Sequence, residues 1–383
     1  MNELHARAAR FAVAAVEHAR SLHRSPLAPD VARLHRLFTS DRAERRPDYQ
    51  RDPALRRAYL GFFLPFNAVK IALLLDRARR EGLLPAPPEP AVLDIGAGPL
   101  TGVFAAWIAY GRLGPCVAVD AAAAAMSAAE PLLSVIAHGG VAQRAVNVAL
   151  RPASSYLEGT RPHLVIVANV LNELRDPRRG ADTRGQLSAD LVAALAPGGR
   201  VLMVEPATRV HGRALMVLRD RLVAERQVSV LAPCRGATTC PLLRGRGDWC
   251  HGEHPWDPPG ALAELARAAG IEKAALKESH LLLAPRSEAP SAVGLRLVGG
   301  PMRDNSGTER RYACGVDGLA TLVGTPGLPR DVVDAARGAL LAPVPAGLGI
   351  ELRPSRAPGA RAAARGAGRS RPRARAGAGP RRR

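Results

Sequence analysis

The segment from Ala91 to Pro206 alternates short apolar runs with longer stretches suited to helices, and this alternation limits the possible folds more than any other feature. The apolar runs read AVLDI, CVAVD, RAVNVAL, HLVIVANV and RVLMVEP, which puts the third and fourth strands at 144–150 and 163–170. Short apolar runs bounded by turn residues are typical of strands. Strands that alternate with helices form a parallel sheet covered on both faces. The sequence therefore predicts an α/β fold built on a mostly parallel sheet.

The flanking sequence differs in composition and divides the chain into four parts. Before the alternating segment, Asp52 and Pro53 mark the start of a helix, and Pro65 predicts a break in the apolar run that follows. After it comes irregular sequence with a hairpin signal at Asp317 and Gly318. The predicted parts are an N-terminal helical segment (1–90), the α/β domain (91–227), a small cysteine-containing β-rich module (228–345) and a disordered Arg-rich tail (346–383).

The chain is strongly basic, with 54 Lys and Arg residues against 34 Asp and Glu and a formal net charge of +20. Eleven arginines and no acidic residue lie in 353–383. A basic surplus suits a polyanionic partner such as RNA. Only three of the basic residues are Lys, so GC-rich coding accounts for part of the surplus.

The apolar stretches and the cysteines indicate the compartment. The longest apolar stretch, Val92 to Gly111, contains Asp94 and a broken turn, so we expect no membrane span. Five cysteines without a secretory signal favour free thiols in a reducing compartment. We expect a monomer in a bacterial cytoplasm. The N-terminus is Arg-rich and amphipathic, as transit peptides are, but Glu3 and Glu17 favour an ordinary helix. The mitochondrial matrix is the alternative.

A glycine turn follows the first predicted strand in the sequence VLDIGAGPLTG. Gly96 and Gly98 let the backbone approach a ligand closely, and the next helix offers free N–H groups. Asp120 ends the second strand, where a carboxylate accepts hydrogen bonds from ribose hydroxyls. Thr101 stands where a dinucleotide fingerprint needs its third glycine, which disfavours NAD or FAD.

A cluster of cysteines occupies the irregular segment after the α/β domain. Three thiols follow the pattern C-x5-C-x9-C, at Cys234, Cys240 and Cys250, and Cys314 lies 64 residues further on. These gaps fit zinc poorly, although His251 or His254 would complete a Cys3His zinc site without Cys314. Wide loops suit an iron–sulfur cluster on four thiolates. The residues alone leave both metal centres open.

Residues 91–206 resemble a class I S-adenosylmethionine (SAM)-dependent methyltransferase domain, with a Rossmann-like sheet. The resemblance implies contacts from the first acidic residue and its glycines to the methionine part of SAM, from the second acidic residue to the ribose, and from a residue after the third strand to adenine. Those roles would fall on Asp94, Gly96, Gly98, Asp120 and Asn147.

The motifs YLGFFLPFN, ANVLNEL, CPLLRGRGDWCH and RYACGVDG resemble a narrower family over about residues 50–340. This is the mitochondrial and bacterial small-ribosomal-subunit methyltransferase-like family, known for assembly of the small subunit. The resemblance implies small-subunit rRNA as partner and a [4Fe–4S] cluster on Cys234, Cys240, Cys250 and Cys314. The sequence departs from the usual pattern of the family at Arg235 and in the stretch GEHPW after the Trp-Cys pair. Neither departure removes a cluster ligand.

No catalytic residue can be named from the sequence. Residues 169–174 read NVLNEL where amino methyltransferases of RNA bases often carry an Asn/Asp-Pro-Pro-aromatic motif, and the Cys needed for cytosine C5 methylation is absent there. We therefore predict an rRNA-binding assembly factor that holds SAM and a cluster. An active rRNA methyltransferase is the alternative, and a small-molecule methyltransferase is disfavoured by the basic charge.

Overall fold

The computed structural model describes residues 3–41, 44, 49–84, 87–136, 140–148, 150–174, 183–234, 239–245, 247–288, 294–324, 327–345 and 348–352. The helices are α1 (Glu3–Ser21), α2 (Ala28–Phe38), α3 (Pro53–Ala58), α4 (Leu64–Arg80), α5 (Thr101–Tyr110), α6 (Ala123–Ala129), α7 (Ser154–Leu157), α8 (Thr183–Ala193), α9 (Arg209–Ala224), α10 (Gly260–Ala268) and α11 (Arg330–Asp334). The strands are β1 (Val92–Ile95), β2 (Cys116–Asp120), β3 (Ala142–Ala145), β4 (Leu164–Ala168), β5 (Arg200–Pro206), β6 (Ser229–Ala232), β7 (Gly252–His254), β8 (Leu276–Ala284), β9 (Leu295–Arg303), β10 (Glu309–Gly315), β11 (Gly318–Gly324), β12 (Leu340–Leu341) and β13 (Gly349–Leu352).

The larger sheet has the order β3-β2-β1-β4-β5-β8-β6, with β7 paired to β8. Strands β1 to β5 are mutually parallel, and β8 runs antiparallel to β5. This is the Rossmann-like sheet of a class I methyltransferase, so the predicted fold class is confirmed. The strand order reverses between β1 and β4, and ligands bind outside the carboxyl ends of the strands at such a point.

Two predicted strands have different bounds in the structure. Strand β3 occupies Ala142–Ala145 instead of 144–150, because the carbonyl of Asn147 accepts turn hydrogen bonds from Leu150 and Arg151. Strand β4 stops at Ala168 because Asn169 has a φ of 60°. A left-handed residue cannot continue an extended strand.

The N-terminal helices cover one face of the larger sheet. Asp52 caps α3 by accepting hydrogen bonds from the backbone of Ala54 and Leu55, as the sequence predicts. The predicted break at Pro65 is wrong: a π-helical turn at Tyr59–Phe63 leads directly into α4. Proline is tolerated there because it falls in the first turn of α4.

The helical run Pro53–Arg80 has the length and apolarity to cross a membrane. In the described part of the chain it alone meets this test, and 89% of its most apolar window is buried inside the protein. It packs in a core shared with α1, α5 and the sheet, for example where Phe11 stacks on Phe104 at a ring distance of 4.6 Å. A second core lies on the opposite sheet face, under α8 and α9.

A smaller antiparallel sheet has the order β12-β9-β10-β11-β13. Its β10–β11 hairpin turns at Asp317 and Gly318, where Gly318 has a φ of 110°. Residues 229–284, which the sequence assigned to this module, instead supply β6, β7 and β8 to the larger sheet. The tail was expected from 346, but Gly349–Leu352 pairs with β11, and 353–383 lies outside the described residues.

Candidate functional site

The glycine turn lies at the carboxyl end of β1. Gly96 and Gly98 have φ values of 66° and 50°, a region that favours glycine. A Cβ on Gly96 would stand 2.2 Å from Val170 in the loop after β4. The turn therefore requires glycine for both its conformation and its close contact with that loop.

Asp94 lies buried beneath this turn, 1% exposed. Its Oδ2 accepts hydrogen bonds from the backbone N–H groups of Gly102 (2.7 Å) and Val103 (3.2 Å) at the start of α5. A Cβ on Gly102 would stand 2.5 Å from the Asp94 carboxylate, so this glycine is needed for the contact. Burial raises the pKa of Asp94 to about 7 despite these hydrogen bonds. Asp94 thus positions the helix that follows the turn.

Asp120 lies beside the turn at the end of β2. Its Oδ2 accepts from the Gly98 N–H at 2.8 Å and its Oδ1 from the Ala122 N–H at 2.7 Å. The backbone N–H of Val146 bonds the Asp120 carbonyl, which brings Asn147 to the same edge of the sheet. The structure therefore brings all five predicted SAM-site residues to the carboxyl ends of β1, β2 and β3.

The loop after β4 is held by a buried carboxylate on β5. Glu205, 2% exposed, accepts hydrogen bonds from the Leu171 N–H and the Asn172 side chain, both at 2.9 Å. Burial raises the pKa of Glu205 to about 7. Since the Asn172 amide also donates to the Asn169 carbonyl at 3.0 Å, it fixes the loop, while Glu173 is exposed.

The N-terminal segment reaches the glycine turn, which sequence reasoning missed. The Gln50 Nε2 lies 3.4 Å from the position that a Cβ on Gly98 would take. Nearby, the Tyr59 hydroxyl is hydrogen-bonded to Asn67 and to Thr101, and burial raises the pKa of Tyr59 to about 12. No local pattern marks these residues, because they come from helices whose own sequence signal is only apolar.

A buried lysine lies behind Tyr59. The Lys70 Nζ donates to the Asn67 Oδ1 at 3.0 Å, and Asn67 in turn donates to the Tyr59 hydroxyl. Burial lowers the pKa of Lys70 to about 8. These hydrogen bonds, continued by the one from Tyr59 to Thr101, connect the N-terminal helical segment to the start of α5.

A separate cavity lies where the two sheets meet. Its lining comes from α9, β8, β9, β10 and the segment between β6 and β7, and it includes Cys234, Cys240, Cys250 and Cys314. Cys116 lies apart from it, buried in β2. Four thiols that are far apart in the sequence thus face one space.

Backbone contacts hold the cysteine segments in place. The Cys240 N–H donates to both carboxylate oxygens of Asp220 on α9, at 2.8 and 3.0 Å. The carbonyl of Cys250 accepts from the Ser279 hydroxyl at 2.7 Å. Cys314 is on β10, in register with Arg296 of β9.

The cavity makes the ionised thiolates unfavourable unless positive charge compensates them. Burial raises the pKa of Cys240 to about 11 and that of Cys314 to about 12, with neighbouring cysteines adding to the effect. Burial likewise raises the pKa of Cys250 well above its usual value. The Arg219 side chain hydrogen-bonds Cys234 and opposes this trend there.

The histidines of the zinc alternative do not line the cavity. His254 Nε2 is 3.0 Å from Glu278 and 2.9 Å from Arg77, and His251 stacks on Trp249. Among the described residues, no three His, Cys, Asp or Glu side chains form a group that could hold a metal ion.

The sheet order and the glycine turn after β1 define a protein with the class I methyltransferase fold. The model of the family described as "Mitochondrial small ribosomal subunit Rsm22" matches residues 64–256, half of the chain. The chain therefore belongs to the Rsm22 family, and the resemblance drawn from its motifs is confirmed at that level. No curated protein matches the chain.

Solved structures that match the chain include three methyltransferases. An O-methyltransferase family protein from Burkholderia thailandensis is 16% identical, with 62% of this chain and 59% of that chain covered and a TM-score of 0.33. The ribosomal protein L11 methylase from Lactobacillus delbrueckii subsp. bulgaricus is 13% identical, with 56% and 77% covered and a TM-score of 0.31. The plantazolicin methyltransferase BpumL in complex with SAH is 11% identical, with 68% and 96% covered and a TM-score of 0.36. The chain thus spans about three fifths of the length of the first of these proteins.

Proposed function

We propose that this chain is a SAM-binding, methyltransferase-like assembly factor of the small ribosomal subunit that holds a [4Fe–4S] cluster. The observation that carries the proposal is the convergence of Cys234, Cys240, Cys250 and Cys314 on one cavity beside a class I methyltransferase sheet. Family membership supports the ribosomal role, and the net charge of +20 suits rRNA as the partner.

The residues around the glycine turn support SAM binding. Gly96 and Gly98 open the backbone at the topological switch point, and Asp120 stands where a ribose would hydrogen-bond. We propose Asp94, Gly96, Gly98, Asp120 and Asn147 as the SAM-binding residues. Bound SAM supplies an activated methyl group, and this chain's residues would bind and orient it.

Two observations support a cluster as the proposed metal centre: all four thiols line one cavity, and the two histidines of the zinc alternative do not. The described residues contain no group of three His, Cys, Asp or Glu side chains that could hold a metal ion as they stand. A larger iron–sulfur cluster bridges thiols at wider spacing, and it supplies a metal-held link between the two sheets.

The loop after β4 supports an assembly role over methyl transfer. The Asn172 amide donates hydrogen bonds to Glu205 and to the Asn169 carbonyl. These bonds hold the loop in place and leave the amide nitrogen occupied, so we do not assign it to the binding of a methyl acceptor. One observation favours the second candidate, an active rRNA methyltransferase: Glu205 has a pKa of about 7, which suits a proton acceptor.

The cellular location follows from the partner. The family description names the mitochondrial small ribosomal subunit, which fits the mitochondrial matrix alternative. The bacterial cytoplasm and the monomeric state stay predictions.

The test combines RNA crosslinking with a methylation map of small-subunit rRNA in cells that lack the gene. We expect crosslinks to small-subunit rRNA, a defect in subunit assembly and an unchanged methylation map. Wild type and the control Asp257→Ala, a change at an exposed position, should restore assembly, whereas Asp120→Ala should restore it poorly. A methyl group that disappears with the gene would favour the active enzyme, and absence of rRNA crosslinks would refute the ribosomal role.

A further inference from the structure

Gln50 lies over the SAM-site glycine turn although it belongs to the N-terminal segment. It sits in a short 3-10 turn, Tyr49–Arg51, between α2 and α3. The Arg56 side chain donates to the Gln50 carbonyl at 2.9 Å and fixes the backbone of this turn. The Gln50 amide nitrogen then lies 3.4 Å from the Cβ position of Gly98.

The other end of the Gln50 amide has no partner in the described part of the chain. Its Nε2 donates to the Tyr49 hydroxyl at 3.3 Å, whereas its Oε1 is buried without a hydrogen bond. Tyr49 is itself held between Phe38 and Tyr59 by ring contacts at 5.5 and 6.4 Å. Buried carbonyl oxygens without a donor are rare in native proteins, and each indicates a missing partner.

The neighbours of the Gln50 side-chain amide indicate the kind of partner. The Gly98 N–H donates to Asp120, so the Gln50 amide, Gly98 and the Asp120 carboxylate are contiguous. The turn that carries Gln50 also contacts α6, the helix that follows Asp120. A group placed here lies at the end of β2, the position where this kind of sheet holds a ribose.

We propose that the Gln50 Oε1 accepts a hydrogen bond from a ribose hydroxyl of the bound nucleoside, beside Asp120. Both Asp120 oxygens already accept one backbone N–H each, from Gly98 and Ala122. A ribose diol brings two donors, and Gln50 supplies a second acceptor for them. This inference rests on the proposed SAM binding and extends the site to the N-terminal segment.

The test measures calorimetric binding of SAH and of 5′-methylthioadenosine, which keeps the ribose and adenine but lacks the amino-acid part. Gln50→Leu should weaken both ligands by the same factor, roughly 2- to 10-fold, the loss expected for one neutral hydrogen bond. The control is Gln186→Leu, an exposed glutamine on α8 that bonds Asp190 at 2.8 Å and should leave both affinities unchanged.

If Gln50 had a purely structural role, Gln50→Leu would lower the melting temperature of the ligand-free protein. The proposed ligand-binding role predicts no such loss. Because the ligand-free protein buries an unsatisfied oxygen there, Gln50→Leu should not lower the melting temperature of that form. If Gln50→Leu fails to fold, Gln50→Met offers a similar length without polar atoms. A loss for SAH alone would overturn the ribose assignment, and unchanged affinity for both ligands would overturn the role of Gln50. Failure of the wild type to bind either ligand would overturn the proposed function together with this inference.

Discussion

At the residue scale, Asp94 belongs to a predicted binding motif, but its carboxylate bonds to the backbone of the protein itself. The motif predicts an acidic residue that faces the methionine end of SAM, yet its Oδ2 holds the first N–H groups of α5. An anion at a helix N-terminus is favourable, but complete burial opposes its ionisation. The carboxyl group therefore has a pKa near neutrality in the folded protein.

This raised pKa predicts that Asp94 lowers stability as the pH rises. The folded pKa is about 7 and the ordinary value is 3.8, so between these values the folded state binds more protons than the unfolded state. The free energy of unfolding should fall by at most about 1.4 kcal/mol per pH unit in this window. Urea unfolding at pH 5 and pH 7 should show a smaller difference for Asp94→Asn than for wild type. An identical difference in both proteins would contradict the prediction, and Asp257→Asn is the control at an exposed position.

At the element scale, the sequence predicted strands by local pattern and missed contacts made at a distance. The glycine turn, the caps and the hairpin at Gly318 carry their signals within a few residues. The assignment of β8 to the larger sheet depends instead on its pairing with β5, about 75 residues earlier, which no local pattern encodes. Gln50 over Gly98 was missed for the same reason. The four cysteines were placed on one centre only through the family resemblance.

The attachment of the smaller sheet to α4 depends on a buried ion pair. Arg296 on β9 donates two hydrogen bonds to Glu81 after α4, at 3.0 and 2.9 Å, and their side chains are 4% and 11% exposed. Removal of one partner leaves a buried charge and costs about 3–5 kcal/mol. Arg296→Ala should therefore lower the free energy of unfolding by that amount in urea titrations.

The control for this prediction is an exposed pair on the same sheet. Arg310 lies 3.4 Å from Asp304, and their side chains are 41% and 38% exposed. Arg310→Ala should change stability by less than about 1 kcal/mol. Equal losses in Arg296→Ala and Arg310→Ala would mean that the buried pair does not hold the sheet.

At the scale of the whole molecule, the basic surplus and the proposed metal site lie in different parts of the chain. The basic surplus is concentrated in 353–383, with its eleven arginines, while the cysteines lie where the two sheets meet. We therefore expect RNA affinity and folding stability to respond to separate changes.

Deletion of 353–383 should weaken RNA binding mainly through its salt dependence. Each phosphate contact contributes about 0.7 to the log–log slope of affinity against salt on single strands. The deleted protein should show a flatter slope in a salt titration, with an unchanged melting temperature. An unchanged slope would mean that the tail does not contact RNA and that its arginines reflect coding bias.

The central claim is that one iron–sulfur cluster joins the two sheets through four cysteines. The most direct measurement is the iron, acid-labile sulfide and zinc content of anaerobically purified full-length protein, together with its melting temperature. We predict about four iron and four sulfide per chain. Each Cys→Ser change at Cys234, Cys240, Cys250 or Cys314 should lose both metal and stability, while Cys116→Ser keeps the metal. One zinc and no sulfide per chain, or full iron content in Cys314→Ser, would contradict the account.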